Sequence, residues 1–357
     1  MKEITVNSES NSYKVIIDSL ESVEFVAFND AFFVIDNNVY GLHKKKVERF
    51  IKKFKGKKVK YLFTASEKNK SFNEVNKILS ELLNNSFGRD ALLVAIGGGI
   101  TGDTAGFAAS IYNRGIAFLN IPTTLLAASD SAIGGKTGIN FNGHKNHIGS
   151  FYNPKSVVID TEFFTTLPID EVICGLGEIS KYSYLTENTF NDDLIKNFHS
   201  LVELDQEKIV DVLEQCIGVK ASVVENDEKE GGVRKILNLG HTFGHAVESA
   251  LTYKLKHGQA VVIGMAAAFY LSHALGYIPE KKLNEFLTLI TRFRPYIKSI
   301  KVDYDKVMNY MAKDKKNRNS KIKFVLPMDF GLTMIDMEAS VKDVKDALSK
   351  AISLFKN

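Results

Sequence analysis

The sequence predicts an α/β domain with an open, mostly parallel sheet, followed by a mostly α-helical domain, and three observations carry that expectation. As far as Asp160, short runs rich in Val, Ile and Phe alternate with helical runs, the order that builds a parallel sheet covered by helices. One of these runs, Ala91 to Ile96, is wholly apolar, as a strand buried on both faces must be. Beyond Leu167-Pro168 the apolar spacing becomes almost entirely helical.

In order, Tyr13 to Asp18 and Ala31 to Asp36 read as strands with β-branched and aromatic centres. Leu42 to Phe54 reads as a helix with a lysine-rich outer face, Val59 to Phe63 as a strand and Phe72 to Leu83 as a helix. Ala91 to Ile96, Ile116 to Ile121 and Ser156 to Asp160 complete the strands. The second half carries helical periodicity over Ile169 to Ser183, Phe190 to Phe198, Gln206 to Val224, a histidine-rich stretch reaching Tyr253, Val261 to Leu275 and Glu280 to Phe293. A β-like pair, Ile322 to Leu326 and Leu332 to Ile335, turns through Asp329-Phe330-Gly331, and Val341 to Phe355 closes the chain as a helix. The expected division is 1–165 for the α/β domain and 166–357 for the helical one.

With 357 residues the chain has room for two cores. A hydrophobic content of 45% and a charged content of 25% are those of an ordinary globular protein. The net charge of +4 is small and dispersed. Its lysine clusters (Lys44 to Lys46, Lys52 to Lys60, Lys313 to Lys321) read as solvated surface, which points away from nucleic acid and suits a small acidic substrate. Two cysteines, Cys174 and Cys216, allow neither a disulfide framework nor a cysteine zinc site. The N-terminus does not resemble a signal peptide and no apolar run is long enough to span a bilayer, so a cytoplasmic enzyme without membrane partners is expected.

Four stretches carry candidate chemistry. The strand ending at Ile96 runs into Gly97-Gly98-Gly99-Ile-Thr-Gly102-Asp103, a G-x-G-x-x-G pattern between strand and helix. Such a turn lets a pyrophosphate approach the backbone at a helix N-terminus, although the usual acid about 20 residues on is missing and a merely tight turn would look alike. Gly134-Gly135-Lys136-Thr137 is no P-loop, because Asp130 stands where its first glycine belongs; it reads as a flexible glycine loop presenting Lys136 to an anion. His144-Lys145-Asn146-His147 adds donors, with both histidines read as surface residues. Glu178 and Lys181 are three apart on a helix, and alone would be a plain ion pair. Finally, three of the chain's 8 histidines fall in Asn238-Leu-Gly-His241-Thr-Phe-Gly-His245-Ala-Val-Glu248 and the following His257-Gly-Gln259. The four-residue spacing of His241 and His245 puts two imidazoles on one helical face, either as ligands of a divalent metal or as polar groups packed between helices.

Together and in this order, these motifs resemble the 3-dehydroquinate synthases of the sugar phosphate cyclase superfamily. The densest matches are the triple glycine with Asp103, Gly-Gly-Lys-Thr, Lys145-Asn146, Gly175-Leu-Gly-Glu178-Ile-Ser-Lys181-Tyr182 and Asn238-Leu-Gly-His241-Thr-Phe-Gly-His245. The resemblance implies a shikimate-pathway lyase that converts 3-deoxy-D-arabino-heptulosonate 7-phosphate into 3-dehydroquinate and phosphate. NAD and one divalent metal, zinc or cobalt, are implied as cofactors. By resemblance the metal ligands are Glu178, His241 and His257, so that His245 moves from ligand to the substrate. Asp130, Lys136, Asn146, Lys181, Lys220, Arg234, Asn238, His245 and Lys316 match substrate-handling positions. Arg114 matches an arginine that reaches a partner subunit's substrate, which implies a homodimer. Asp36, Asn38, Glu67, Lys70, Gly98, Gly99, Asp103, Thr123, Thr124, Lys145, Thr166 and Leu167 match NAD contacts. Departures are Gln259, where glutamate is common, and Gly177, where alanine is frequent. The competing readings are another cyclase such as a 2-deoxy-scyllo-inosose synthase, a metal-dependent polyol dehydrogenase, or an NAD-binding regulatory protein without activity.

Overall fold

The computed structural model describes residues 1–22, 28, 30–252, 255–312 and 322–356. Lys316 therefore lies outside the described residues. The chain divides into two compact units, Met1–Leu167 with Ile209–Glu228, and Pro168–Lys208 with Lys229–Asn357.

The first unit is built on a seven-stranded sheet. In chain order its strands are β1 (Lys2–Val6), β2 (Tyr13–Ile17), β3 (Ala31–Asp36), β4 (Lys58–Phe63), β5 (Leu92–Gly97), β6 (Ala117–Pro122) and β9 (Ser156–Ile159). The spatial order is β1-β2-β9-β6-β5-β3-β4, parallel throughout except for the β1–β2 pair. β3 and β5 are buried at every residue, whereas the edge strand β4 alternates toward solvent. The short edge strand β1 gave no sequence signal, because most of it faces outward.

Helices α1 (Asn37–Lys52), α2 (Phe72–Asn84) and α3 (Gly99–Ile111) follow β3, β4 and β5. From β3 the chain moves outward to β4; from β5 it moves the other way to β6. The strand order thus reverses between neighbours β3 and β5, and in open α/β sheets the crevice at the carboxyl ends of such strands is where nucleotides bind.

The stretch read as a flexible glycine loop is instead the start of a hairpin, β7 (Lys136–Phe141) and β8 (His144–Phe151). Asn142 and Gly143 close it with φ of 47° and 78°, the left-handed pair that two-residue hairpin turns require. α6 (Gln206–Asn226) groups with this unit from Ile209 onward, although the sequence placed it beyond residue 166. The reason is visible in its side chains: Lys220 and the adjoining Glu228 are bonded to residues of this unit.

The second unit contains α4 (Ile169–Tyr184), α5 (Asn188–Val202), α7 (His241–Ala250), α8 (His257–Ala274), α9 (Glu280–Thr291), α10 (Tyr304–Ala312) and α11 (Val341–Ser353). A hairpin, β10 (Phe324–Asp329) and β11 (Leu332–Met337), joins them. α8 is apolar nearly all round and buried along its length, so it serves as the axis on which α4, α7, α9 and α11 pack. A Cβ on Gly258 would lie 1.9 Å from the Cys174 carbonyl oxygen, and one on Gly177 would lie 2.4 Å from that of Gly258. The two glycines let the backbones of α4 and α8 touch, which brings Glu178 against His257.

Candidate metal centre and cofactor-binding residues

Glu178 is fully buried on α4, an expensive place for a carboxylate unless positive charge surrounds it. Its Oε2 accepts from Lys181 Nζ at 2.7 Å, so the i,i+3 pair expected from the sequence is formed, but in the interior. Oε1 lies 3.3 Å from His241 Nε2 and 3.1 Å from His257 Nε2, yet accepts no well-formed hydrogen bond. The other nitrogen of each ring is engaged. His241 Nδ1 lies 3.2 Å from the Leu239 carbonyl, and His257 Nδ1 lies 3.0 Å from Glu248 Oε2. In a neutral imidazole the nitrogen facing an acceptor carries the proton, so that in this form Nε2 of both rings directs its lone pair at Glu178 Oε1.

Three donors that converge in this way call for positive charge between them, which a metal cation supplies. An ion held at about 2.0–2.2 Å by each donor separates neighbouring donors by roughly 3.3 Å, so the spacings seen here fit. The electrostatics show the same demand for positive charge. Burial pushes the Glu178 carboxyl up, but Lys181 and His241 outweigh it and hold the carboxyl well below its usual range. Burial likewise pushes the His257 imidazole down, yet the Glu178 and Glu248 carboxylates on either side of the ring outweigh it and raise it to about 10. For His241 burial prevails and the ring is shifted toward neutral.

The ring centroids of His241, His245 and His257 stand 5.2–5.5 Å apart, and one ligand atom from each falls within 4.8 Å of the others. The four-residue spacing on α7 accounts for His241 beside His245, as expected, whereas His257 opens α8 and joins them through the packing of the two helices. The carboxylate singles out two of them, because its Oε1 contacts are with His241 and His257. Nearby in the chain, Arg234 is 1% exposed, and Asn238 Nδ2 donates to Glu230 Oε1 at 2.7 Å. Gln259 is structural here: its Oε1 accepts from the Lys256 N–H and caps α8.

In the first unit, most of the residues matched to NAD follow the carboxyl ends of β3, β4, β5 and β6, while Lys145 is on β8 and Thr166 and Leu167 come after β9. Asp36 ends β3 and caps α1, accepting from the Asn38 N–H at 2.8 Å, while burial pushes its carboxyl up. Gly98 caps α3, and a Cβ there would come within 3.1 Å of Thr124. Gly102 lies against Asn120, and the Thr123 N–H donates to the Gly97 carbonyl at 3.0 Å. Thr166 and Leu167 end a short 3-10 turn, where Thr166 Oγ1 stands 2.7 Å from His43 Nε2.

Beyond β4, Lys70 Nζ bonds Asp103 Oδ2 at 2.5 Å and donates to Asn146 Oδ1. Burial raises the Asp103 carboxyl, and Lys70 offsets part of that cost. Lys145 Nζ approaches Glu67 Oε1 at 3.7 Å. Asn140, not foreseen as a site residue, joins these groups. Its Nδ2 donates to Glu67 Oε2 at 2.7 Å, its N–H donates to the Lys70 carbonyl, and its Oδ1 accepts from the Asn146 N–H at 2.9 Å. The sequence held one clue to it, the Asn142-Gly143 turn that folds Asn140 back beside Asn146.

Lys220 Nζ reaches the Asp130 carboxylate at 2.7 Å and its carbonyl at 2.6 Å. Arg114 is exposed at the centre of the left-handed turn Asn113, Arg114, Gly115, with φ of 49°, 66° and 113°. His144 and His147 are exposed on β8 with ring centroids 5.5 Å apart.

Comparison with known proteins shows the family. Family models described as 3-dehydroquinate synthase N-terminal and 3-dehydroquinate synthase C-terminal match residues 60–174 and 175–317. The chain belongs to the 3-dehydroquinate synthase family. A 3-dehydroquinate synthase of Pelagibacter ubique (strain HTCC1062) is 42% identical, covering 98% of this chain and 99% of its own. That of Alkaliphilus metalliredigens (strain QYMF) is 38% identical over 93% and 94% of the two chains. As a 3-dehydroquinate synthase family member, the enzyme is a carbon–oxygen lyase acting on phosphates.

Among solved structures, a 2-deoxy-scyllo-inosose synthase complexed with carbaglucose-6-phosphate, NAD+ and Co2+ has a TM-score of 0.89 at 24% identity, covering 98% of this chain and 99% of its own. The 2-epi-5-epi-valiolone synthase of Streptomyces hygroscopicus, with NAD+ and Zn2+ bound, gives 0.86 at 26% identity over 99% and 98%. A glycerol dehydrogenase from Schizosaccharomyces pombe gives 0.69 at 18% identity over 96% and 89%. The fold is thus shared with the rival activities, while the sequence relatives select among them. Among the described residues, no helix is long and apolar enough to cross a membrane.

Proposed function

We propose that this chain converts 3-deoxy-D-arabino-heptulosonate 7-phosphate into 3-dehydroquinate and phosphate, the step of aromatic biosynthesis that the family performs, as a cytoplasmic homodimer. The observation that carries the reading is the buried Glu178 Oε1 between the Nε2 atoms of His241 and His257, a donor set that fits a divalent ion. Glu178, His241 and His257 would hold zinc or cobalt. There the metal would supply Lewis-acid activation of substrate hydroxyls, and NAD would supply a reversible hydride acceptor. The glycine turn at Gly98 and Gly99, with Asp36, Asn38, Glu67, Lys70, Asp103, Thr123, Thr124, Lys145, Thr166 and Leu167, would hold the nucleotide.

The substrate is a phosphate dianion that also bears a carboxylate, and the chain offers cationic side chains to match. These are Lys136, Lys181, Lys220 and Arg234. Lys181 and Lys220 are already oriented by Glu178 and Asp130, so each meets the substrate without losing side-chain freedom on binding. Lys136, Asn146 and His245 attend the departing phosphate, and His245 stands ready to move a proton. Asn238 and Arg234 secure the substrate's polar end. After β-elimination of phosphate, ring opening and aldol closure proceed in the substrate itself. Arg114, thrust outward by its left-handed turn, reaches the neighbouring subunit.

The experiment is phosphate release from the heptulosonate phosphate with catalytic NAD, before and after chelation, while absorbance reports NADH. Chelator-sensitive release without net NADH supports the reading. NADH rising in step with substrate loss would place the chain with the dehydrogenases, and absence of release would reject this substrate.

A further inference from the structure

Lys136 follows Gly134 and Gly135, whose φ of 89° and 66° are left-handed. A turn of two glycines has little stiffness of its own, so the direction of Lys136 depends on what holds the turn. Three contacts do so. The Gly134 N–H donates to the Tyr13 hydroxyl at 2.9 Å, and the Tyr152 N–H donates to the Gly135 carbonyl at 2.7 Å. The Asn153 amide packs against Gly135 so closely that a Cβ there would lie 2.3 Å from Asn153 Oδ1.

The Asn153 amide is itself clamped. Its Nδ2 is 2.9 Å from Glu228 Oε1, Ser8 Oγ and Ser10 Oγ. Glu228, only 4% exposed, also accepts from Ser10 Oγ at 2.5 Å and from the Ser10 N–H at 3.1 Å. A buried carboxylate with this many donors has one well-defined position, and it passes that definition to Asn153. Upstream of the turn, Lys220 of α6 grips Asp130. The segment from Asp130 to Lys136 is thus fastened at both ends by α6 and the residues that follow it.

We propose that Asn153, held by Glu228, is a positioning residue that fixes the Gly134–Gly135 turn and thereby the Lys136 ammonium. This rests on the assignment of Lys136 to the substrate phosphate. Asn153→Ala leaves Lys136 in place chemically but frees its turn. In the wild-type background it lowers kcat/KM for phosphate release by about 10- to 100-fold, the cost of a catalytic group displaced by roughly an ångström. In the Lys136→Ala background the same substitution costs less than about twofold, because the group it positions is gone.

NAD affinity, titrated by fluorescence, stays unchanged in a folded Asn153→Ala enzyme. If that variant loses NAD binding, Glu228→Gln, which preserves side-chain volume, carries the same cycle with a smaller effect in the same direction. Equal losses in both backgrounds, or unchanged turnover per folded molecule, would overturn the inference and leave the assignment of Lys136 intact. Wild-type turnover by Lys136→Ala alone would remove that assignment, and this inference with it.

Discussion

Glu248 contributes nothing to substrate chemistry in the reading above, yet its loss should be felt at the metal. Its Oε2 accepts from His257 Nδ1 at 3.0 Å and the residue is 7% exposed, so the bond is charged and shielded from water. Glu248→Gln keeps an acceptor but loses the charge. A hydrogen bond to a charged group contributes about 1.5–3 kcal/mol against about 0.5–1.5 kcal/mol for a neutral one. The difference, roughly 1–1.5 kcal/mol, corresponds to about tenfold weaker metal binding. Glu248→Ala removes the acceptor altogether and frees the ring to rotate, for about 100-fold, the upper end of what such outer partners contribute. Competition with a chromogenic chelator, using zinc and cobalt in turn, measures both affinities without reference to turnover. Wild-type affinity in both variants would refute the argument, whatever happened to activity. So would equal losses in the two, because the charge would then carry everything and the ring's orientation nothing.

Other expectations follow from the same contacts. Gly258→Ala forces a methyl to within 1.9 Å of the Cys174 carbonyl, so α4 and α8 must separate; urea unfolding of metal-free protein should show a loss of about 1–3 kcal/mol or more, with weaker metal binding. Lys220→Ala leaves the Asp130 carboxylate without its ammonium, and because Asp130 is 26% exposed the loss of stability should be about 1–2 kcal/mol by the same assay, below that of a fully buried pair. Burial pushes the Glu228 carboxyl up, but hydrogen bonds from Ser10, Asn153 and Ser8 outweigh it and hold it below its usual value. The folded state thus favours the carboxylate, and this stability is complete above the usual carboxylate range and lost as pH falls through the depressed folded value. Glu228→Gln should therefore be less stable than the parent at neutral pH, with the gap closing toward acid; a gap that does not change with pH would show that the charge is irrelevant there.

What was legible in the sequence was what repeats locally. The all-apolar run at Ala91 to Ile96, the glycines that open α3 and the helical spacing after Pro168 are properties of neighbouring residues, and backbone sterics and burial translate them directly into β5, α3 and the helical unit. β7 and β8 escaped because polar, glycine-rich strands lack a hydrophobic period, although Asn142-Gly143 marked their turn. Histidine spacing likewise identified a cluster but not its ligands. His241 and His245 are close simply because α7 is a helix, whereas the choice of His257 depends on Glu178, which arrives on α4 only because Gly177 and Gly258 let two backbones touch.

The sequence by itself determined the strands, helices, glycine turn and motif order that establish the family. Only the tertiary structure decided that Glu178 Oε1 faces the Nε2 atoms of two imidazoles, that Asn140 ties Glu67 to Asn146, and that Glu228 stands behind the turn bearing Lys136. The physical reason is that these are contacts between residues far apart in the chain. Their geometry is set by how whole elements pack, and no local propensity encodes it.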